Sequence, residues 1–461
     1  MEQSLAWSEV AETAARVFGV RTFRAGQREL IEAVLARRDA LGILPPGGGK
    51  SLCFQLPSLF LPGVVVVVSP LVSLGEDQTD QLERPSISAA RTDSTLTAGK
   101  DRTALVQRQP LEIVYVTPER LTQPAFTEKI LMVGCSLLVV DEAHCISEGG
   151  HDFRPAFLAI RHAARALGRP PILALTATAT PAVERDILQE LELRDPLVVR
   201  TSCERPNLHL SVRHCATEAA KLAVLQELVA AEPGTVLVYT ATIRKAYEVW
   251  TRLIEADIVA GIYHGDLEPV VRDITRDAFM DGRYRVIVAT RDFGPGIDQA
   301  RTRLVIHAQV PGSLERYYQE VGRAGRDGEP ARGVLLYRRA DARIQRFFLA
   351  GKHSQREEVE QAVEWWFGAR EAELPGRSAK VLLNDLERIS AMASTRERML
   401  TELTELYERR RAEDGARLER MLAFAEEKEC RMQGVRAYFG EKGERCSQCD
   451  YCDERAERVL R

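Results

Sequence analysis

Short apolar runs, many of them β-branched, recur between residues 40 and 337 with no polar alternation. They are Ala40-Leu44, Val64-Val68, Ile113-Val116, Leu137-Val140 and Ile172-Leu175, then Val236-Tyr239, Val286-Ala289, Leu304-Ile306 and Val334-Tyr337. A strand wetted on one face alternates apolar with polar residues, so unbroken runs imply burial on both faces, as in parallel sheets covered by helices. The stretches between them carry helical spacing; in Gln27-Leu35 the apolar residues Leu30, Ile31, Val34 and Leu35 share one face. Glu204-Arg205-Pro206-Asn207 reads as a connector between the two series, which predicts two α/β lobes joined near residues 200–207.

Past about residue 345 the strand pattern stops. Residues 355–429 are rich in Glu, Arg and Leu, with helical spacing in Val359, Val363 and Trp366 and in Leu382, Leu386 and Ile389, broken once at Leu374-Pro375-Gly376. The net charge of −4 offers no bulk attraction to a polyanion, so any nucleic-acid track has to be local. No apolar run approaches the roughly 20 residues that span a bilayer. Met1-Glu2-Gln3-Ser4 lacks the start of a secretory signal, so a cytosolic chain without membrane contact is expected.

The run Ala40-Leu44 leads into Pro45-Pro46-Gly47-Gly48-Gly49-Lys50-Ser51 and a helical stretch. Glycines let backbone N–H groups approach a phosphate, a helix start adds partial positive charge, Lys50 suits the β/γ oxygens, and the Ser51 hydroxyl suits Mg²⁺. Leu44 stands where the strict pattern has its first glycine, and a plain glycine turn is the alternative. Val139-Val140-Asp141-Glu142-Ala143-His144 ends a buried run on two carboxylates, which places Asp141 at the Mg²⁺ shell and Glu142 where it would polarise the attacking water.

With these two motifs the chain resembles the DEAH-type superfamily 2 helicases, and among them the RecQ family of DNA helicases. Further carriers are Phe23-Arg24-Ala25-Gly26-Gln27, Ser69-Pro70-Leu71-Val72-Ser73-Leu74, His151-Asp152-Phe153-Arg154-Pro155, Leu175-Thr176-Ala177-Thr178-Ala179, Phe293-Gly294-Pro295-Gly296-Ile297-Asp298 and Gln319-Glu320-Val321-Gly322-Arg323-Ala324-Gly325-Arg326-Asp327. The resemblance implies that Arg24 and Gln27 read the adenine base. It also implies that Arg323 and Arg326 reach across from the second lobe to stabilise the transferred phosphoryl. Gly322, Gly325 and Gly328 around these arginines are expected to serve close packing. DNA contacts are expected from Ser69-Pro70-Leu71, Ser94-Thr95, Thr117-Pro118-Glu119-Arg120 and Thr290, on loops at the other edge of both sheets.

Two positions depart from the family pattern. Val20 stands where an aromatic residue usually stacks on adenine, so weaker nucleotide affinity is expected. In the loop that senses single-stranded DNA, His151, Phe153 and Arg154 remain, but Glu148-Gly149 replaces the usual Gln-Trp pair. Stacking is worth about 1–3 kcal/mol per base, so weaker DNA stimulation of hydrolysis is expected.

Cys430, Cys446, Cys449 and Cys452 crowd the last 32 residues and supply four thiolates, the ligand set of a structural tetrahedral Zn²⁺. The resemblance also implies that a winged-helix and a further helical DNA-binding domain are absent, as in a short form. The extra helices around 355–410 read either as a small helix-turn-helix-like unit or as a spacer packed on the second lobe.

The expected architecture is α/β, with two RecA-like parallel-sheet lobes followed by a helical zinc-binding C-terminal region. Residues 1–203 form the ATP-binding lobe, 204–345 the second lobe, 346–429 the helical insert and 430–461 the zinc-binding region. The implied activity is ATP- and Mg²⁺-dependent 3′-to-5′ unwinding of forked DNA by movement on single strands, in repair or recombination. A translocase or annealing factor that unwinds weakly is the alternative. A cytoplasmic monomer is expected, nucleoid-associated if bacterial.

Overall fold

The structure, a computed structural model, describes residues 6–70, 89–92, 112–147, 153–291, 293, 299–368, 379–390, 393 and 395–459. The apolar runs form two all-parallel sheets. The first contains β1 (Ala40–Ile43), β2 (Val64–Val68), β3 (Ala89–Thr92), β4 (Ile113–Val116), β5 (Cys135–Val140), β6 (Ile172–Thr176) and β7 (Leu197–Arg200), in the order β3-β4-β2-β5-β6-β1-β7. The second contains β8 (Leu208–His214), β9 (Thr235–Tyr239), β10 (Ala260–Tyr263), β11 (Val286–Ala289), β12 (Thr302–His307) and β13 (Ala331–Tyr337), ordered β10-β11-β9-β12-β13-β8.

Burial on both faces is visible along β2. Val64, Val66 and Val68 enter one core while Val65 and Val67 enter the core on the opposite face, and none is more than 2% exposed. Each buried valine contributes about 1.5–3 kcal/mol relative to exposure, so polar residues on either face would be costly. The strands that the runs did not announce, β3, β7, β8 and β10, are the four sheet edges. An edge strand is covered less completely: β7 is mostly half-buried, and the end of β8 is exposed at Arg213 and His214.

C-terminal to the second sheet, helices Arg356–Phe367 and Ala379–Ser390 and the first half of Arg396–Glu426 enclose a core of their own, including Val359, Val363, Leu386, Leu403 and Tyr407. Inside it, Arg410 makes a two-point ion pair with Asp385 at 2.6 and 3.0 Å, and the Tyr407 hydroxyl donates to Asp385 at 2.9 Å. The second half of Arg396–Glu426 places Leu418, Met421 and Ala425 in the core of the second lobe. At about 1.5 Å per residue this helix is about 46 Å long, so one element is both part of a compact three-helix unit and a packing partner of the second lobe.

Candidate nucleotide cleft and thiolate cluster

The chain turns sharply after β1. Gly47 and Gly49 have φ of +78° and +76°, and a Cβ on Gly48 would lie 2.8 Å from the Pro45 carbonyl, so each of the three positions requires glycine. Gly48 N–H closes the turn on the Pro45 carbonyl at 2.8 Å, and Lys50 and Ser51 lead directly into helix Leu52–Ser58. Gln27 is buried against this turn. Its Nε2 donates to the Gly49 carbonyl at 2.9 Å while its Oε1 accepts from Arg24 N–H at 2.7 Å. One N–H and one lone pair of the amide are left over from these two bonds. Val20, like Trp7, Phe18 and Phe23, packs against the small core of Val10, Ala14, Ile31, Leu52 and Leu56.

β5 lies two strands from β1, and the carboxylates that follow it open on the same edge of the sheet. Burial pushes the Asp141 carboxyl up to about 7; the neighbouring Glu142 charge adds to the shift and Lys50 opposes it. Glu142 has φ of +49°, a left-handed conformation that costs a non-glycine residue on the order of 1–3 kcal/mol. Its Oε2 lies 3.3 Å from His144 Nδ1, and that nitrogen lies 3.0 Å from Thr176 Oγ1, which in turn accepts from Thr178 N–H at 3.2 Å. Glu142 thereby stands beside a His144–Thr176–Thr178 chain at the turn after β6.

The second lobe meets this turn directly. A Cβ on Gly47 would lie 3.2 Å from Cγ of Arg326, and a Cβ on Gly322 would lie 2.6 Å from Cβ of Pro46. Arg323 is buried; burial lowers its pKa, while Tyr239, Glu320 and, across the cleft, Glu142 act in the opposite direction. Close packing holds at Gly322 and at Gly325, where a Cβ would meet Asn207 at 2.5 Å. It does not hold at Gly328, which has open space around it and φ of +89°; there glycine serves the backbone. Arg205, which the sequence offered only as part of a connector, reaches both loops: it donates to the Pro46 carbonyl at 2.8 Å and to the Gly325 carbonyl at 2.7 Å. No local pattern announces that role, because both partners are more than a hundred residues away.

The expected DNA-facing loops need one correction. Ser69-Pro70 follows β2 and Thr117 follows β4, so in the first lobe they share the C-terminal edge with the glycine turn and are displaced along it, not placed on the opposite edge. Parallel strands put all their C-terminal loops on one side, which is where ligands of such sheets bind. The Thr117 hydroxyl caps the helical turn Pro118–Leu121, accepting from Arg120 N–H at 3.3 Å. Ser69 and Thr290 are buried. Arg154 donates to the Pro70 carbonyl at 2.6 Å, and the Phe153 ring lies 5.2 Å from the Arg410 guanidinium of the long helix. Leu71, Ser94, Thr95, Glu148, Gly149 and His151, like Gly294–Asp298, lie outside the described residues.

The sulfurs of Cys430, Cys446, Cys449 and Cys452 all lie within 4.8 Å of one another, with Cys430 and Cys446 at 3.4 Å, and none is in a disulfide. Zn–S bonds of about 2.3 Å place tetrahedral sulfurs about 3.8 Å apart, so the cluster fits that ion. Backbone N–H groups point at the sulfurs, from Cys446 to Cys430 at 3.3 Å and from Arg431 to Cys449 at 3.4 Å. The hydrogen bond from Cys446 and the Arg431 N–H hold the Cys449 thiol down to about 5, against its burial. The cluster is joined to β8: Asp450 accepts from Val212 N–H at 2.8 Å and pairs with Arg431, and His209 lies 2.7 Å from Asp453.

Residues 24–186 match the DEAD/DEAH box helicase family, 220–328 the helicase conserved C-terminal domain, and 383–453 the RecQ zinc-binding family. The chain is 38% identical over 358 residues to the probable ATP-dependent DNA helicase RecS of Bacillus subtilis, covering 77% of this chain and 72% of that protein. It is 40% identical over 351 residues to the ATP-dependent DNA helicase RecQ of the same organism, covering 75% of this chain and 59% of that one. Among solved structures, the Mycobacterium smegmatis helicase Lhr bound to ssDNA and AMP-PNP superposes with a TM-score of 0.61 at 22% identity, over 82% of this chain and 57% of that one, a likeness of fold.

Proposed function

Because the chain belongs to the RecQ family of helicases, we propose that it is an ATP-dependent DNA helicase whose single nucleotide site is shared between the two lobes. The observation that carries this reading is the contact of the arginine turn with the glycine turn, Arg326 over Gly47 and Gly322 against Pro46. Arg24, Arg205, Arg323 and Arg326 gather there closely enough to repel one another, and a triphosphate is the anion that would relieve that repulsion.

In this reading the backbone of Gly47, Gly48 and Gly49 and the Lys50 ammonium cradle the β- and γ-phosphates. Gln27 and Arg24 contact the base from the segment that braces the turn. Ser51 and Asp141 would hold Mg²⁺, which when bound neutralises phosphate oxygens; burial raises the Asp141 carboxyl, which suits it to a cation that offsets the cost of its charge. Glu142 orients the attacking water and accepts its proton, held in place by its strained backbone and the His144–Thr176 link. Arg323 and Arg326 meet the charge that develops on the transferred phosphoryl, so hydrolysis requires lobe closure and release permits opening. Alternate grip of a strand by the two lobes then yields movement, with the loops after β2 and β4 and the residues His151, Phe153 and Arg154 coupling DNA to the site.

The thiolate cluster holds Zn²⁺ in a structural role, since four thiolates leave no open coordination position. We further infer 3′-to-5′ polarity on single-stranded and forked DNA and a role in repair or recombination. Unwinding of 3′- and 5′-tailed duplexes beside single-strand-stimulated ATPase tests the proposal. ATP turnover without strand separation would favour the translocase or annealing alternative, and turnover unaffected by Lys50→Ala would refute the shared site.

A further inference from the structure

The connector between the lobes holds a guanidinium with every donor engaged. Arg205 Nη1 donates to the Pro46 carbonyl at 2.8 Å and to the Gly322 carbonyl at 3.2 Å; Nη2 donates to the Ala324 carbonyl at 3.0 Å and the Gly325 carbonyl at 2.7 Å; Nε reaches Asn207 Oδ1 at 3.4 Å. An arginine has five N–H donors in one rigid plane, so none is left for a phosphate. Arg205 therefore bridges two stretches of backbone, the glycine turn on one side and the arginine turn on the other.

The connector is itself held. Glu441 accepts from Cys203 N–H at 2.9 Å and from the Ser202 hydroxyl at 3.0 Å, Arg200 reaches the Phe439 carbonyl at 3.4 Å, Arg436 pairs with Glu204, and the Tyr318 hydroxyl donates to the Cys203 carbonyl. The guanidinium thus projects from a backbone anchored by helix Arg431–Tyr438, the segment that follows it, and Tyr318 of the second lobe. Fixing the carbonyls of Gly322, Ala324 and Gly325 fixes the backbone from which Arg323 and Arg326 depart.

We propose that Arg205 is a positioning residue for ATP hydrolysis, setting the spacing between the glycine turn and the arginine turn when the lobes are closed. The inference rests on reading those turns as two halves of one nucleotide site. A lysine keeps the charge but cannot hold four carbonyls in one plane, so Arg205→Lys isolates geometry from electrostatics.

The test uses the full zinc-loaded chain and compares wild type, Arg205→Lys and Arg205→Gln. DNA-stimulated kcat and KM for ATP are measured together with amide hydrogen exchange over residues 322–328 in the presence of AMP-PNP. A misplacement of about 1 Å costs about 100-fold in rate, so kcat is expected to fall about 10- to 100-fold in both variants, with KM within threefold. Protection of the arginine turn by AMP-PNP is expected to disappear. A merely structural arginine would lower the melting temperature and leave kcat and the protection in place, which would overturn the inference, as would kcat within twofold of wild type. If Arg205→Gln does not fold, Arg205→Lys decides alone. A wild-type chain without DNA-stimulated turnover refutes the nucleotide reading and this inference together; wild-type turnover that survives Arg205→Lys refutes only the inference.

Discussion

Gly322→Ala perturbs the contact between the lobes with a single methyl group. Gly322 has φ of −66°, open to any residue, so the substitution carries no backbone penalty of the left-handed kind. Its new Cβ would stand 2.6 Å from Cβ and 2.7 Å from Cγ of Pro46, with the Tyr318 carbonyl at 2.9 Å behind it. Carbon atoms sit best about 3.5–4.0 Å apart, and a proline ring in a tight turn cannot rotate aside, so the two turns must part by about 1 Å. That displacement moves Arg323 and Arg326 from the glycine turn, and misplacement on this scale costs about 100-fold in kcat, or about 2.7 kcal/mol of barrier. KM for ATP should change little, because Lys50, Ser51 and Asp141 all belong to the first lobe. Steady-state ATPase with single-stranded DNA measures the effect, and circular dichroism on heating checks that the chain still folds. A kcat within threefold of wild type in a folded variant would refute the reasoning.

Three other outcomes are expected. Asp141 favours its protonated form in the folded, metal-free chain, so its ionisation opposes folding as pH rises from about 4 through about 7, while Mg²⁺ needs the carboxylate. Apparent Mg²⁺ affinity at the proposed site should therefore strengthen as pH rises, measured by titration of ATPase, and an Asp141→Asn chain with the same slope would contradict this. Chelation should release one zinc per chain and raise hydrogen exchange across residues 200–207, because Glu441, Phe439 and Arg436 hold that connector; unchanged exchange there would separate the cluster from the cleft. Gly415 lies mid-helix in Arg396–Glu426 with nothing within 4 Å of a Cβ, so Gly415→Ala should stabilise by about 0.8–1 kcal/mol in chemical denaturation, and a destabilised variant would refute it.

The central strands were legible because burial on both faces leaves a composition that no half-exposed strand shares. The four edges were not, since β7 and β10 are too short or too wet to differ from a loop in sequence. The glycine turn, the strand-end carboxylates and the cysteine cluster announced themselves through local spacing, and local spacing is what their chemistry needs. Gly322 and Gly325 were correctly expected to sit at close contacts, whereas Gly328 is indistinguishable from them in sequence and serves only a positive φ. Arg205 escaped notice for the opposite reason. Its role depends on long-range partners, and one arginine in a Glu-Arg-Pro-Asn turn carries no mark of the five acceptors that fill it. The C-terminal helices were read as helices, but only packing separates the three-helix core from the portion joined to the second lobe.

The claim that two lobes share one nucleotide is tested most directly by single-turnover hydrolysis in Arg326→Ala, with binding of a fluorescent ATP analogue measured alongside. An arginine acting on the transferred phosphoryl is worth about 10³- to 10⁵-fold in rate, so hydrolysis should fall by at least 10³-fold while nucleotide binding stays within tenfold. Hydrolysis at the wild-type rate in a chain lacking that guanidinium would contradict the account.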